Sequence, residues 1–202
     1  MSPSLDLGYS LSSAYPSGMD ADVHVDHVLD CVEAADRAGF DYVQVGDHHV
    51  AGAGYLQNVP VVGRVTASWD RLAALWLLPL YDPVLVAEYV GTLAALTDVV
   101  EFWCGLGHNR RSFEAFDVPM TERAPRFEEA LTVVERLWAE DTVTFEGTYY
   151  SLDGVSVAPS ADPRICIAGM ARPAVERAAR RGDAWVAPPG MDRDGLEERI
   201  GW

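Results

Sequence analysis

The amino-acid sequence predicts an α/β protein built around a parallel sheet. Short apolar runs typical of strands alternate along the chain with segments that repeat apolar residues at the helical period. No repeat, low-complexity stretch or linker divides the 202 residues, and 49% of them are hydrophobic, so residues 1–202 are expected to form one domain with a sizeable core. The alternation fits either a doubly wound sheet or a (β/α) barrel.

Six apolar runs are predicted to be the strands of this sheet. They lie at residues 5–11, 41–46, 72–78, 99–105, 164–168 and 184–186. The third run is apolar without interruption, as in a strand that is buried on both faces. Residues 51–64, which contain Gly, Asn and Pro, are predicted to be a loop. An alternating segment at 142–152, with its turn at Glu146 and Gly147, predicts a hairpin inserted before the fifth strand.

Helices with recognisable start and stop signals are predicted between the strands. They cover residues 20–39, 84–96, 123–138, 173–181 and 192–200. Asp20 can cap the first helix, and Gly39 can end it. Asp82 and Pro83 supply a cap and a first-turn proline for the second.

The composition restricts the partners and the environment that we expect. The chain has 31 acidic and 15 basic residues, all of the basic ones Arg, for a net charge of -16 at pH 7. This charge disfavours nucleic acid and anionic membranes as partners, and an acidic chain without lysine suggests a salt-rich environment. Three widely spaced cysteines, Cys31, Cys104 and Cys166, are expected to be buried thiols in a reducing cytoplasm, and no targeting or membrane-spanning segment is expected.

Polar residues and glycines follow three of the predicted strands. Asp47, His48 and His49 follow the second, Gly105 and Gly107 the fourth, and Gly169 the fifth. Ligands bind at the carboxyl ends of strands in both parallel architectures, so these segments are expected to converge on one site.

Histidine 48 is the candidate for chemistry at this site. Because imidazole exchanges protons near neutral pH, His48 could act as a general base or as a hydrogen-bond donor to a cofactor. Neighbouring side chains of a strand point to opposite faces, so His49 is expected to pack in the protein. His24 and His27 are expected to lie on a solvated helix face, and His108 is left unassigned.

The turn after the fifth strand suits a phosphate group. Gly169, Met170, Ala171 and Arg172 lead into a helix whose first-turn amides are free to bind an anion. Arg110 and Arg111, just beyond the fourth strand, could add charge to the same phosphate. Ordinary loop chemistry explains glycines at strand ends equally well.

Several motifs, in order along the chain, resemble one enzyme family. They are AGFDYVQVGDHH, LLPLYDPVLVAEYVGTLAALT, GLGHNRRSFEAFDVPMTERAPRFEEALTVVERLW, TFEGTYY and ICIAGMARPAVERAARRGDAWVAPP. Together they resemble the bacterial luciferase-like flavin-dependent oxidoreductases. The resemblance implies a TIM-like barrel that holds FMN, or the deazaflavin coenzyme F420, at its carboxyl mouth.

The resemblance also implies that the barrel is incomplete. The family has eight βα units, whereas this sequence reaches about six, so the chain is expected to be short at its C-terminus. We expect an open barrel in which residues 5–9 and 184–186 do not pair. Such a chain is expected to form oligomers, to need a second polypeptide, or to be marginally stable.

By position, the resemblance assigns roles to the candidate residues. It places Asp47 and His48 near the reactive edge of the ring and Gly105 and Gly107 beside the cofactor. The phosphate falls to Arg110, Arg111 and the turn Gly169, Met170, Ala171 and Arg172, although the family usually has Ser or Thr in that turn. A non-proline cis peptide between Ala74 and Leu75 is expected beneath the ring.

The implied function is a reduced-flavin enzyme acting on a small molecule. It would be a monooxygenase supplied by a flavin reductase, or an oxidoreductase that transfers hydride through the deazaflavin. One alternative is a flavin-binding or interaction protein without turnover. Another is a metal-dependent phosphoesterase of the DHH type, although Asp20, Asp22 and His24 lie at a helix start and not at strand ends.

Overall fold

The computed structural model describes residues 5–202. The strands are β1 (Gly8–Leu11), β2 (Ala14–Tyr15), β3 (Tyr42–Val45), β4 (Gly54–Tyr55), β5 (Arg71–Leu77), β6 (Val99–Gly105), β7 (Val143–Glu146), β8 (Ser151–Val155), β9 (Arg164–Ala168) and β10 (Ala184–Val186). The helices are α1 (Ala21–Arg37), α2 (Asn58–Val65), α3 (Pro83–Leu96), α4 (Arg110–Ala115), α5 (Arg123–Ala139), α6 (Arg172–Arg181) and α7 (Arg193–Ile200). Short 3-10 helices lie at Leu78–Leu80 and Met120–Glu122.

Six strands form a parallel sheet that curves into half of a barrel. Their order is β1-β3-β5-β6-β9-β10, so β1 and β10 are the two edges and do not pair with each other within residues 5–202. The expectation of an open, incomplete (β/α) barrel is therefore confirmed. The predicted hairpin is present as the antiparallel pair β7 and β8, and it extends to Val155.

Alternation along the strands gives the sheet two faces. One face is apolar and fully covered by helices, and its largest side chains, Trp76 and Phe102, are 0% exposed. Phe102 meets Trp138 of α5 edge to face, with 5.3 Å between the ring centroids. The strand register puts Gln44, Glu101 and Trp103 on the opposite, concave face, which carries more polar and half-buried side chains. The core therefore lies between the sheet and the helices.

The segment 51–64 is more ordered than the sequence predicts. It contains β4, which pairs antiparallel with β2, and most of α2. The buried Asn58 starts α2, and its side-chain amide donates to the backbone oxygen of Leu75 at 2.7 Å. This tertiary hydrogen bond fixes a short helix that the weak helix propensity of NVPVVGRV does not predict. The short helix α4 is likewise not predicted by the sequence.

Two expectations about single residues are wrong. The peptide bond between Ala74 and Leu75 is trans, and β5 continues through it in regular register with β6. Both residues therefore keep their places in the sheet, with no bulge. His24 is not on a solvated face, because it is buried with its Nε2 atom 3.2 Å from the backbone oxygen of Ser12, whereas His27 is exposed as expected.

The three cysteines are free thiols. Cys104 and Cys166 are buried as expected, and Cys31 is half-buried. Between residues 5 and 202, every helix is too short or too polar to cross a lipid bilayer.

Candidate active site at the carboxyl ends of the strands

The carboxyl ends of β3, β5 and β6 meet through direct side-chain contacts. Asp47 follows β3 and accepts a hydrogen bond from the backbone N–H of Leu77 at the end of β5. Asn109, beyond the end of β6, contacts the residues that follow β3. The predicted convergence of these segments on one edge of the sheet is thus present, and the turn after β9 lies at the same edge.

Asp47 ties this edge together from inside the protein. Its carboxylate is 0% exposed and accepts hydrogen bonds from the N–H of Leu77 at 2.8 Å and from the hydroxyl of Tyr81 at 3.1 Å. Burial raises the pKa of this carboxyl, although the Leu77 amide, His49 and Tyr81 act in the opposite direction. Asp47 therefore lies beneath the surface formed at the carboxyl ends of β3, β5, β6 and β9, which we call the mouth.

Histidine 49 packs inside the protein, as the sequence predicts. Its Nε2 atom lies 3.3 Å from Oδ1 of Asp47, close enough for a charge interaction but not aligned for a hydrogen bond. Its ring lies between those of Tyr81 and Phe116, at centroid distances of 5.3 and 4.9 Å. The side chain is thereby directed away from the surface of the mouth.

Histidine 48 occupies the rim of the mouth and is half-buried. Its Nε2 atom lies 3.4 Å from Nδ2 of Asn109, and its ring centroid is 5.7 Å from that of Tyr55. Burial and the neighbouring His108 lower the pKa of His48, and Asp47 opposes them. A neutral imidazole at the rim is therefore favoured at neutral pH.

Tyr55 and Asn109 are site residues that the sequence did not reveal. Tyr55 lies in the short strand β4, which was predicted as loop, and a Cβ at Gly46 would lie 3.3 Å from its hydroxyl. Asn109 caps α4, since its Oδ1 accepts from the N–H of Arg111 at 3.1 Å. An Asn immediately before RRSFEA is a capping signal that could have identified this helix start.

The loop after His49 is conformationally strained. Val50 has a φ of 51°, in the left-handed region that β-branched residues rarely adopt, and Ser112 donates to the backbone oxygen of His49 just before it. Strain of this kind costs on the order of 1–3 kcal/mol and is commonly found at functional sites. The hydrogen bonds from α4 hold this loop in place.

The predicted phosphate turn offers free backbone amides. Among residues 5–202, the N–H groups of Met170 and Ala171 have no acceptor, whereas that of Gly169 donates to the oxygen of Val186. The exposed Arg172 side chain pairs with Glu176 of its own helix at 2.9 Å. A Cβ at Gly169 would lie 2.3 Å from that of Ala174, so only glycine allows α6 to approach β9 this closely.

The remaining candidate residues lie at different depths. Ala74 is fully buried on the helix side of the sheet, and Leu75 is half-buried on the concave side. Gly105 ends β6, and a Cβ on it would lie 3.5 Å from that of Ala168, while Gly107 has a φ of 76°. The side chains of Arg110 and Arg111 are exposed. The side chain of Ala74 therefore faces away from the candidate site.

Two cavities lie away from this mouth. One, of about 490 Å³, is lined at the amino ends of β5, β6 and β9 by Arg71, Glu101 and Arg164 among others. The other, of about 230 Å³, lies between β1 and α1. In the part of the chain that the structure describes, no group of three His, Cys, Asp or Glu residues is arranged to hold a metal ion.

An open parallel half-barrel with polar side chains at the carboxyl ends of its strands has the architecture of the (β/α)-barrel proteins. Comparison with known proteins narrows this class. The chain belongs to the luciferase-like monooxygenase family, whose model matches residues 5–201. The family inferred from the motifs is confirmed.

Two curated relatives illustrate the sequence similarity. An F420-dependent glucose-6-phosphate dehydrogenase from Beutenbergia cavernae is 31% identical over 211 residues, covering 97% of this chain and 60% of the relative. An F420-dependent hydroxymycolic acid dehydrogenase from Mycobacterium tuberculosis is 29% identical and covers 80% of this chain and 49% of the relative. The chain thus spans at most 60% of the length of these relatives.

Solved structures share the fold. A monooxygenase from Streptomyces bottropensis superposes with a TM-score of 0.86 at 24% identity, covering 98% of this chain and 64% of the other. An F420-dependent secondary alcohol dehydrogenase, solved with an F420-acetone adduct, gives a TM-score of 0.77 at 22% identity, with coverages of 97% and 64%. An FMN complex of a type II Baeyer-Villiger monooxygenase from Pseudomonas putida gives 0.81 at 17% identity, with coverages of 97% and 61%.

Proposed function

We propose that this chain belongs to an oxidoreductase that uses the deazaflavin coenzyme F420, or FMN, on a small organic substrate. The observation that carries the proposal is the family match over residues 5–201, together with His48 at the carboxyl rim where ligands of barrel proteins bind. Fold alone does not assign a reaction, so the residues of the mouth must also suit the cofactor.

The relatives favour hydride transfer over monooxygenation. The curated relative that matches 97% of this chain is named an F420-dependent dehydrogenase, whereas the FMN-bound monooxygenase is 17% identical and supports the fold alone. We therefore put F420-dependent hydride transfer first. Monooxygenation with reduced FMN, supplied by a separate flavin reductase, is second, and it is supported by the description of the family as luciferase-like monooxygenases.

The concave face at the mouth suits a flat aromatic ring. Gly46 and Gly105 carry no side chains there, and Leu75 and Trp103 offer half-buried apolar surface below them. Side chains at the glycines would approach Tyr55 and Ala168 and occupy this space. A planar cofactor could therefore lie against backbone and apolar groups without displacing a buried side chain.

The phosphate of the cofactor would be held mainly by backbone amides and Arg111. The amides of Met170 and Ala171 stand free at the start of α6, where the helix dipole favours an anion. Arg111 lies in the first turn of α4, beside the glycine-containing loop after β3. We assign the amides and Arg111 to the phosphate as part of this proposal, although the turn lacks the hydroxyl side chain common in the family.

The bound cofactor would supply the hydride chemistry, and the chain's own residues would position the reactants. His48 would form a hydrogen bond to the cofactor or substrate at the rim. Asp47 would act as a positioning residue, because its carboxylate fixes the backbone of Leu77 and the hydroxyl of Tyr81 beneath the mouth. The strained loop at Val50 would limit access of water from one side.

Parallel titrations with F420 and FMN test this proposal. At high salt, one of the two should change in fluorescence with a micromolar dissociation constant. Arg111→Ala should weaken that binding by about ten- to a hundredfold, since a charge-assisted hydrogen bond contributes on the order of 1.5–3 kcal/mol. Arg37→Ala, which removes an exposed arginine from α1, is the matched control and should leave binding unchanged.

The outcomes separate the alternatives. Binding of neither cofactor contradicts the proposal. Turnover would be assayed with F420 on a panel of alcohols and sugar phosphates, and with FMN in the presence of NADH and a flavin reductase. Cofactor binding without turnover in either assay would support a cofactor-binding protein without activity. The phosphoesterase alternative gains nothing from the structure, because Asp47 and His49 are packed inside and residues 5–202 contain no group arranged to hold a metal.

A further inference from the structure

The orientation of the Asn109 side chain is determined by its surroundings. Its Oδ1 atom accepts the capping hydrogen bond from the N–H of Arg111 at 3.1 Å. Its Nδ2 atom then faces the backbone oxygens of His49 and Val50, at 3.3 and 3.4 Å. The flipped amide would direct its oxygen at two carbonyl oxygens and its nitrogen at an N–H group. The hydrogen-bond network therefore fixes Nδ2 toward the loop after β3.

This orientation dictates the protonation of His48. The Nε2 atom of His48 lies 3.4 Å from Nδ2 of Asn109, and an amide nitrogen can only donate. The two hydrogens of Nδ2 are shared among Nε2 and the two backbone oxygens, and an Nε2–H would point at a second donor, so the contact favours Nε2 as an acceptor without a proton. A neutral imidazole with an unprotonated Nε2 carries its proton on Nδ1.

The charged and titratable groups around His48 agree with a neutral ring. His108 from the loop after β6 and His49 from the next position both disfavour a positive charge on His48, while the buried Asp47 favours it. Tyr55, packed against the ring, is itself held neutral because burial raises its pKa. Burial is the largest influence on His48, and it also favours the uncharged form.

The other ring nitrogen is available to a ligand. Within residues 5–202, Nδ1 of His48 makes no hydrogen bond, so its proton has no protein acceptor. The ring lies at the rim and is half-buried, which leaves this side accessible.

We infer that Asn109 is a positioning residue that locks His48 as the neutral Nδ1–H tautomer, so that His48 offers a ligand in the mouth a hydrogen-bond donor and not a base. The inference about the tautomer concerns the free protein. The part about the ligand rests on the proposed function. Of the two roles that the sequence left open for His48, the geometry selects the donor.

Asn109→Asp reverses the hydrogen bond while preserving the helix cap. Aspartate caps helices as well as asparagine does, so α4 should keep its cap, but the oxygen that replaces Nδ2 is an acceptor. It faces Nε2 and also the backbone oxygens of His49 and Val50, so the loop after β3 should lose stability. The tautomer and pKa of His48 can be read by NMR of protein with nitrogen-labelled histidine, with the His48 signals assigned by comparison with His48→Gln. Asp82→Asn, which makes the reverse exchange at the cap of α3, is the control for a change of cap.

The unsubstituted protein should show the Nδ1–H signature and a pKa below the ordinary histidine value. Asn109→Asp should move the proton to Nε2 and raise the pKa by about one unit or more. Asp82→Asn should leave both unchanged. An Nε2–H signature in the unsubstituted protein, or an unchanged His48 pKa in Asn109→Asp, overturns the inference. If Asn109→Asp fails to fold, the tautomer of the unsubstituted protein decides alone.

These measurements use the protein without cofactor, so a failure of the proposed function leaves the tautomer result standing. If cofactor-dependent turnover is found, its pH profile tests the second part. Asn109→Asp leaves Nδ1 of the neutral His48 ring without a proton, and protonation restores it, so kcat/KM of this variant should fall as pH rises through the His48 pKa that NMR measures. A profile without this fall would show that the His48 proton plays no part in turnover.

Discussion

The carboxylate of Asp47 provides the sharpest test of how the mouth is held together. Asp47→Ala removes the acceptor for the N–H of Leu77 and for the hydroxyl of Tyr81. The tyrosine hydroxyl can turn to Oδ1 of Asn58, 3.5 Å away, but the Leu77 amide has no second acceptor within residues 5–202. One donor of the half-buried Leu77 is therefore left without a protein acceptor.

The expected loss of stability follows from these two contacts. An unsatisfied buried amide costs about 1–3 kcal/mol, and the loss of the second hydrogen bond adds about 1 kcal/mol. Asp47→Ala should therefore lower the free energy of unfolding by about 2 to 4 kcal/mol. Asp47→Asn should cost less than half of that, because its amide oxygen still accepts from Leu77 and its amide nitrogen can donate to Tyr81.

The pH dependence separates the carboxylate from a neutral isostere. Burial raises the folded-state pKa of Asp47 above its unfolded value of about 3.9. As pH rises from that value toward the raised pKa, the unfolded state loses its proton first, so the contribution of Asp47 to stability falls. Asp47→Asn has no such proton, and its stability relative to the unsubstituted protein should improve as pH rises through this window.

Urea unfolding followed by tryptophan fluorescence, at several pH values between 4 and 7 and constant high salt, measures both effects. Asp26→Asn on the exposed side of α1 is the matched control and should show neither. Equal stability of Asp47→Ala and the unsubstituted protein would show that the Leu77 amide is not buried as described. A pH trend of opposite sign for Asp47→Asn would contradict a raised pKa.

Four further predictions concern turnover, packing, salt and the sheet edges. His48→Ala should lower turnover by roughly ten- to ten-thousand-fold, measured by steady-state kinetics, with little change in cofactor affinity, measured by titration. Equal activity would show that His48 has a packing role only. Gly169→Ala should lower the free energy of unfolding by about 1–3 kcal/mol, because the added Cβ would lie 2.3 Å from that of Ala174. Gly63→Ala in α2, which has open space around it, is the control and should be neutral or stabilising in the same urea assay. Thermal stability should rise between low and molar salt because the net charge of -16 is screened, and a melting temperature independent of salt would argue against charge repulsion. In hydrogen exchange, the backbone amides of β5 and β6 in the isolated 202-residue chain should be far better protected than those of the edge strands β1 and β10. Light scattering should detect self-association. A monomer in which both edge strands are protected would contradict an open sheet.

Local sequence determined most of the sheet. The strands at 99–105, 164–168 and 184–186 have the predicted bounds, because each is a short apolar run between turn residues and must be buried wherever the chain puts it. The carboxyl ends of parallel strands necessarily share one edge, so the grouping of the segments after β3, β6 and β9 also followed from the sequence.

Only the tertiary structure decided which side chains meet at that edge. Asn109 reaches His48 across 61 positions of sequence, and Asp47 reaches Tyr81 across 34, through a strand register that no local pattern encodes. The short helices α2 and α4 depend on similar long-range hydrogen bonds, since Asn58 is anchored to β5 and Ser112 to the loop after β3. Propensity is a weak local preference, whereas a buried polar group must find a partner wherever the fold provides one, and that requirement set the geometry of the site.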